Sequence, residues 1–371
     1  MRHTRVIWFA ALLLAVSALS CQRRPLELMY QPTVRTIVKC VWKINAQTDI
    51  EVHNKPTGIT LYFFRDGQFY NSFTTANVDS CEVQLEKGHY KMYMISQSPE
   101  EFWKMEFDHM TDFQTAETIL RRNDVAWTRS EPDITVENPE ILFAGVADEF
   151  EVTEEMTEEF QYYYTRLKRL RSNAATKADN ADEEVYYEEQ VRYHTLTIPV
   201  YPHNIVSQLW ITIYSGNADV LKSVRASTSG MARTFELTQN TTGEEKATQV
   251  MSEWRLTMDD AARRVGHIDG IITTFGLPNG EVPTVQRDSS LNVSALLVDN
   301  ATIANYKFEV GDKIQVLTPN PGYRNLYRLI FGSVEEPSIT PPDVAPEGGS
   351  ASGMDATVSD WENGETVEVP M

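Results

Sequence analysis

Long apolar segments are scarce in this 371-residue sequence. One apolar run, residues 6–14, follows the basic residues Arg2 and Arg5 near the start of the chain. The run is shorter than the about 20 residues that a membrane-spanning helix needs, and Arg23 and Arg24 follow soon after it. No later segment is apolar enough to cross a bilayer, so a transmembrane anchor is disfavoured.

Positive charge is also in short supply. The chain has 33 Lys and Arg residues against 53 Asp and Glu residues, which gives a net charge of −20. Nucleic-acid phosphates attract basic surfaces, so this balance argues against a nucleic-acid partner. The length allows two domains of ordinary size, each able to bury its own core.

Enzyme signatures are missing. The sequence has no His-Glu-x-x-His zinc motif, no Gly-rich phosphate loop and no Gly-x-Ser-x-Gly elbow. Acidic pairs such as Asp259 and Asp260 are able to act as acid and base or to bind calcium, but most such pairs are solvated surface. We therefore expect no catalytic residue, no metal and no cofactor; a hydrolase with an unrecognised site is a minor alternative.

The chain has only three cysteines. Cys40 and Cys81 each alternate with apolar residues, which predicts that both lie on the buried faces of strands. Two such cysteines in an oxidising compartment form either a disulfide or two buried free thiols, and both outcomes stay open. A catalytic thiol is less favoured, because no histidine stands in a recognisable relation to either.

The third cysteine, Cys21, closes a stretch of small residues that follows the basic start and the apolar run. This order predicts a secretory signal over residues 1–20. The residues before Cys21 resemble the lipobox of bacterial lipoproteins, with Ala18 where leucine is commoner. We expect a lipid such as palmitate on Cys21, anchoring the protein to the outer membrane; the alternative is an ordinary signal with an incidental cysteine.

Strand patterns dominate both halves of the mature chain. In the first half, residues 59–64 precede Asp66-Gly67, a dipeptide typical of a tight hairpin, and further strands are predicted at 69–70, 81–85 and 90–95. In the second half they are predicted at 193–200, 209–214, 291–298, 306–310 and 323–331. The pattern predicts a mainly all-β chain with two successive β-sandwiches, over residues 21–150 and 190–334.

Two segments have helical spacing. Phe113, Ala116, Ile119 and Leu120 predict a short crossover helix. Residues 151–189 form a charged connector in which apolar residues from Met156 to Leu170 share one helical stripe, with acidic residues early and basic residues late, as a helix dipole favours. Residues 172–184, rich in Ala, Asn, Asp and Glu, predict a loop.

The C-terminal region combines two patterns. Residues 335–353 are rich in Pro, Gly and Ser and predict a flexible connector. Residues 354–371 predict a terminal strand or hairpin around Asn363-Gly364. The residues of this possible assembly strand are Met354, Val358, Trp361, Val367 and Val369.

Aromatic residues offer one further possibility. Trp103, Trp127 and the run Tyr162-Tyr163-Tyr164 would suit a platform for sugars, because flat rings stack on apolar sugar faces. Filling of the core is the favoured interpretation, since strands and helices use aromatic residues for that purpose.

Several short segments resemble a known family. They are Arg23-Arg24-Pro25-Leu26, a strand ending in Val41-Trp42, residues 56–64, Gly88-His89-Tyr90, residues 226–232, 274–276, 306–314 and 353–371. Together they are similar to the fimbrillin-associated anchor and minor fimbrial lipoproteins of the Bacteroidales, which include a domain family of otherwise unknown function. The resemblance extends over nearly the whole mature chain.

This resemblance implies two tandem transthyretin-like β-sandwiches and a non-enzymatic role in attaching or assembling fimbriae. Its implied partners are fimbrial subunits, joined when an extended strand of one chain completes the open groove of its neighbour. Residues 22–24 lack the acidic residues that direct related lipoproteins outward, so both faces of the outer membrane stay open. The alternative function is a carbohydrate-binding outer-membrane lipoprotein of a glycan-uptake system.

Overall fold

The computed structural model describes residues 31–42, 56–123, 134–172, 181–280, 289–317, 324–347 and 365–368. Most of the regular structure is strand, which confirms the mainly all-β prediction. The predicted signal and several predicted site residues lie outside the described residues: these are Cys21, Trp127, Met354, Val358, Trp361 and Val369.

The first-half sheet has the central strand order β12, β9, β5, β2, β3, with β10 also pairing with β5. Its strands are β2 (Ile59–Arg65), β3 (Gln68–Thr75), β5 (Gly88–Ser96), β9 (Phe143–Val146), β10 (Phe150–Val152) and β12 (His203–Asn204). Asp66 and Gly67, between β2 and β3, have φ angles of 50° and 81°. Two left-handed residues in a two-residue loop confirm the predicted tight hairpin.

A three-stranded sheet has the order β11, β1, β4, and β1 and β11 are parallel. The strands are β1 (Thr33–Cys40), β4 (Ser80–Glu86) and β11 (Leu196–Val200). Burial alternates along β1, with Val34, Val38 and Cys40 inside. The alternation predicted from the sequence therefore sets which side chains enter the core.

Residues 117–120 belong to a strand of a four-stranded sheet, although the sequence predicts a helix around residues 113–120. Its order is β16, β15, β7, β6, with bounds β6 (Met105–Asp108), β7 (Glu117–Leu120), β15 (Thr234–Glu236) and β16 (Thr241–Thr242). Ala116, Thr118 and Leu120 are fully buried, a period of two. The helix prediction was wrong because β7 pairs with β6 and β15 on either side, and β-branched Thr118 and Ile119 suit a strand.

The second half forms a sandwich of two sheets around one core. The β13 sheet has the order β18, β19, β13, β23, β22: β13 (Ser207–Ser215), β18 (Trp254–Asp260), β19 (Val265–Thr274), β22 (Gln315–Leu317) and β23 (Leu326–Phe331). The β14 sheet has the order β24, β21, β20, β14, β17, β8: β8 (Ile134–Val136), β14 (Leu221–Ala232), β17 (Lys246–Met251), β20 (Ser290–Leu297), β21 (Thr302–Glu309) and β24 (Glu365–Glu368). Leu209, Ile211 and Ile213 from one sheet join Val293 and Ala295 from the other in the core.

Two helices occupy the charged segment. Helix α1 (Glu154–Ser172) confirms the predicted helix; of the predicted stripe, Phe160 and Leu167 are buried whereas Tyr164 is exposed. Helix α2 (Ala181–Tyr193) begins inside the segment predicted as a loop, so that prediction was wrong from Ala181 onward. Its polar composition suggested a loop, but acidic residues in its first turn favour a helix N-terminus, and Arg171 pairs with Glu184 at 2.9 Å.

The chain divides into two compact units. The described part of the smaller unit contains residues 31–35, 84–87, 152–172 and 181–195, and the larger unit contains the remaining described residues. Within the larger unit, the pairs β9–β12, β7–β15 and β8–β17 join strands from before residue 150 to strands from after residue 200. The tandem boundaries at 21–150 and 190–334 stay a prediction.

After β23 the chain returns across the sandwich as a segment we call the C-terminal strap, residues 333–347. Ile339 is buried in the sandwich core, and its backbone N–H donates to Tyr214 O. Asn217 Nδ2 donates to Pro341 O at 3.0 Å, and Arg264 pairs with Asp343 at 2.7 Å. The described part of the predicted connector is therefore hydrogen-bonded to the sandwich.

Candidate functional site

The candidate assembly site is the edge of the β14 sheet where β24 meets β21. The two strands are parallel, with Thr302 opposite Glu365 and Ala304 opposite Val367. β24 is the outermost strand in the sheet order and follows residues 348–364 in the chain. Of the five residues predicted for an assembly strand, Val367 is the one that lies in β24.

β21 is held firmly on its other side, where it pairs with β20 along seven residue positions. Tyr306, Phe308 and Val310 are buried while Lys307 and Glu309 are exposed, which confirms the strict alternation predicted for this strand. The core-facing side chains of β21 are therefore fixed by packing, and the second pairing edge of the strand is the one that meets β24.

A hydrogen-bonded turn starts β21. Asp299 accepts hydrogen bonds from Thr302 N–H and from Thr302 Oγ1–H, the latter at 2.6 Å, and from Ala301 N–H. Partial burial raises the pKa of the Asp299 carboxyl, but these hydrogen bonds outweigh it and leave the pKa below its ordinary value. The carboxylate form thus fixes the turn at neutral pH.

An edge strand of this kind binds another strand through its backbone. On this edge of β21, the backbone groups from Thr302 to Asn305 pair with β24 in this structure. The same groups would accept any extended segment of suitable length, because the hydrogen bonds of a β-ladder are made by the main chain. The arrangement supports strand addition.

Cys40 and Cys81 lie on neighbouring strands, β1 and β4, as free and buried thiols. Burial, with smaller contributions from Cys81 and Asp79, raises the pKa of the Cys40 thiol to about 12. Burial also raises the pKa of Cys81. Protonated thiols are poor nucleophiles, so a catalytic role is disfavoured, and the disulfide stays a prediction.

Each histidine ring in the described residues lies beside a carboxylate or an amide side chain. Within the described ranges no hydrogen bond joins a histidine ring to a serine or cysteine side chain; His203, for example, contacts Asn240 Oδ1 at 2.9 Å. The ligand atoms of Asp108, His109 and Glu117 lie within 4.8 Å of one another, with all three side chains at least partly exposed. Exposed groups of this composition are common without a metal.

Three of the aromatic candidates for a sugar platform are exposed, so the favoured interpretation as core residues was wrong for these three. Trp103 is 78% exposed, and Tyr162 and Tyr164 on α1 are 53% and 42% exposed. Sequence reasoning missed Trp210, which is 40% exposed on β13 between buried Leu209 and Ile211. The alternation of that strand was the signal that places Trp210 on its outer face.

A family model covers residues 20–252, more than half of the chain, and its description is a domain of unknown function, DUF5119. The chain belongs to this family. The family resemblance found in the sequence is thereby confirmed. No curated protein matches the chain in sequence. Among the described residues no helix is long and apolar enough to cross a membrane.

Solved structures are similar to this DUF5119 protein, and the first of them shares its fold. A candidate adhesin from Bacteroides ovatus is 14% identical with a TM-score of 0.54, covering 88% of this chain and 98% of that one. The fimbrial anchor protein Mfa2 from Porphyromonas gingivalis is 9% identical with a TM-score of 0.43, covering 80% and 90%. A fimbrial assembly protein from Parabacteroides distasonis is 10% identical with a TM-score of 0.34, covering 82% and 93%.

Proposed function

We propose that this DUF5119 protein is a non-enzymatic cell-envelope protein that acts as an anchor or accessory subunit of fimbriae. The observation that carries the proposal is the pairing of β24 with the edge strand β21. The family resemblance in the sequence supports it, and the fold shared with the Bacteroides ovatus candidate adhesin is compatible with it.

The proposed assembly step is an exchange of β24 between chains. In the free protein β24 pairs with its own β21, and in a fibre it adds to the edge of a neighbouring subunit. The covalent length of residues 348–364 allows a reach of up to roughly 60 Å, which is enough to span to a second subunit. Backbone hydrogen bonds supply the affinity in both states, so the exchange gives β24 a new partner strand and keeps the same kind of interaction.

The anchoring step of the proposal rests on Cys21. A lipid on this residue would hold the folded body outside the cytoplasm and against the outer membrane. An accessory subunit with a lipid and an exchangeable strand joins the membrane to a fibre. The residues concerned lie outside the described part of the chain, and this step depends on the sequence pattern alone.

The experiment is recovery of the full chain from chemically crosslinked envelopes, with identification of the proteins that accompany it. A double variant, Thr366→Pro with Val367→Pro, removes two adjacent backbone donors from β24, and at least one of any alternating pair is then lost. The matched control, Thr366→Ala with Val367→Ala, keeps both donors.

We expect fibre subunits to accompany the unchanged chain and the alanine control, and to be at least five-fold depleted with the proline variant. Equal recovery with the proline variant would contradict strand exchange. Absence of fibre subunits with the unchanged chain would contradict the fimbrial role itself.

A further inference from the structure

The outer face of the β13 sheet carries one exposed indole ring, that of Trp210. Trp210 on β13 lies opposite Ile271 of β19 and opposite Arg328 of β23. Trp210 is 40% exposed and Ile271 is 54% exposed. Both residues, with Arg328, border a cavity of about 850 Å³. This is ample room for a small organic ligand, since pockets for such ligands have volumes of roughly 300–1,000 Å³.

A fixed carboxylate stands in the next row of the same face. Asp269 lies opposite Thr212 and accepts a hydrogen bond of 2.6 Å from its hydroxyl. His267 Nε2 is 3.2 Å from the other Asp269 oxygen, and His267 Nδ1 is 2.7 Å from Asp259. Held from two sides, Asp269 is a preorganised acceptor that borders the cavity.

Two guanidinium groups flank this face. Arg255 lies opposite Asp269, and Arg328 lies opposite Trp210. Both side chains are exposed and border the cavity, and among the described residues neither has an ion-pair partner. The chain has a net charge of −20, which means that it has fewer basic residues than acidic residues to pair with them. Two arginines without an ion-pair partner among the described residues supply cationic groups for an anionic ligand beside the exposed tryptophan, in a cavity that Glu253 and Asp269 also line.

Two further polar atoms that border the cavity lack partners. Trp254 Nε1 and Ser223 Oγ are buried, and within the described part of the structure neither has a hydrogen-bond partner. The Trp254 ring packs over Gly270, where an added Cβ would lie 2.9 Å from the ring. Because Trp254 packs against the sandwich core, these two buried atoms lie behind the exposed face around Trp210 and are not assigned to a ligand.

We propose that this face binds an acidic glycan, a chain of pyranose rings that bear carboxylate or sulfate groups. The apolar face of one ring stacks on the Trp210 indole, the anionic substituent binds Arg328 or Arg255, and ring hydroxyls donate to Asp269. A site of this kind adds ligand recognition to the protein and is independent of the exchange of β24, which lies in the other sheet.

The test is titration calorimetry on the mature full-length chain with three oligosaccharide probes of equal length. The probes are an oligogalacturonate, a sulfated galacto-oligosaccharide and an unmodified galacto-oligosaccharide. The first two distinguish carboxylate from sulfate as the anion, and the third isolates the contribution of charge. The variants are Trp210→Ala and Arg328→Gln, with Tyr193→Ala as the matched control at an exposed aromatic residue elsewhere.

We expect at least one acidic probe to bind at least ten-fold more tightly than the neutral one, with affinity falling as salt rises. Trp210→Ala and Arg328→Gln should each weaken that binding at least ten-fold while Tyr193→Ala leaves it unchanged, and melting temperatures should show that all variants fold. Binding of neither acidic probe, equal binding of the neutral probe, or binding insensitive to Trp210→Ala would overturn the proposal.

Discussion

At the scale of single residues, backbone conformation explains why two glycines are not interchangeable with alanine. Gly67 and Gly332 both have left-handed φ angles, 81° and 75°. A Cβ at Gly67 would meet nothing within 4 Å, whereas a Cβ at Gly332 would lie 2.6 Å from Ser338 N and 2.8 Å from Glu336 O. Gly332 is therefore where β23 turns closely against the C-terminal strap.

We predict that Gly332→Ala destabilises the protein more than Gly67→Ala. The second change should cost about 1–2 kcal/mol, the ordinary penalty for a left-handed residue with a Cβ. The first adds a backbone clash that the strap relieves only by moving, so we expect a loss of at least about 3 kcal/mol. Urea unfolding measures both, and equal losses would show that the close approach at Gly332 has no energetic weight.

The buried cysteines give a second prediction at this scale. Because the pKa of Cys40 is raised to about 12 and that of Cys81 is also raised, both thiols are mainly protonated at pH 8. If both are free, iodoacetamide should label neither residue in the folded protein and both after denaturation, as mass spectrometry would show. Labelling of neither after denaturation without reductant would establish the disulfide, and rapid labelling of the folded protein would contradict the burial.

At the scale of elements, local patterns predicted what local forces decide. Asp66-Gly67 gave the hairpin because both residues tolerate left-handed φ angles. The alternation in residues 306–310 gave the buried face of β21. β7 was missed because its short apolar spacing also suits a helix, and pairing with strands distant in sequence decided the outcome.

The face around Trp210 shows where prediction from the sequence stops. Alternation along β13 would have placed Trp210 outside, next to buried Leu209 and Ile211. No local pattern brings Arg328 beside it, because β13 and β23 are parallel neighbours far apart in the chain. The placement of Asp269 likewise depends on the register between β13 and β19.

The element-scale prediction concerns the C-terminal segment. Deletion of residues 354–371 removes β24 and exposes the pairing edge of β21. We expect a lower melting temperature, by a few degrees, if β24 completes its own sheet in the isolated protein, or loss of fibre association at unchanged stability if it serves a neighbour. A truncated protein with unchanged melting and unchanged fibre association would show that the segment has neither role.

At the scale of the whole molecule, acidic residues outnumber basic ones by 20, so ion pairs cannot neutralise all of them. Arg264 lies between Asp219 and Asp343, and Arg233 pairs with Glu245. Such exposed pairs contribute little to stability, so the buried cores are the main source of folding free energy. The surface charge instead governs which partners approach, and it disfavours polyanions everywhere except where cations stay unpaired.

In the proposed function, attachment of the whole molecule to the membrane depends on one residue, Cys21. We predict that Cys21→Ala, expressed in the native host, incorporates no palmitate label and enters the aqueous phase of a detergent extraction. The reason is that a lipid chain contributes about 0.8 kcal/mol for each buried methylene group, and no helix of the described residues offers a substitute anchor.

Cys81→Ala is the matched control, because it removes a cysteine that is buried in the fold and leaves the proposed lipid site intact. This variant should keep both the label and the detergent-phase partition of the unchanged protein. If Cys21→Ala stays in the detergent phase without label, another part of the chain attaches the protein to the membrane and the anchoring step is wrong. If Cys21→Ala keeps the label, the lipid is attached at another residue, and the lipobox interpretation of residues 18–21 fails.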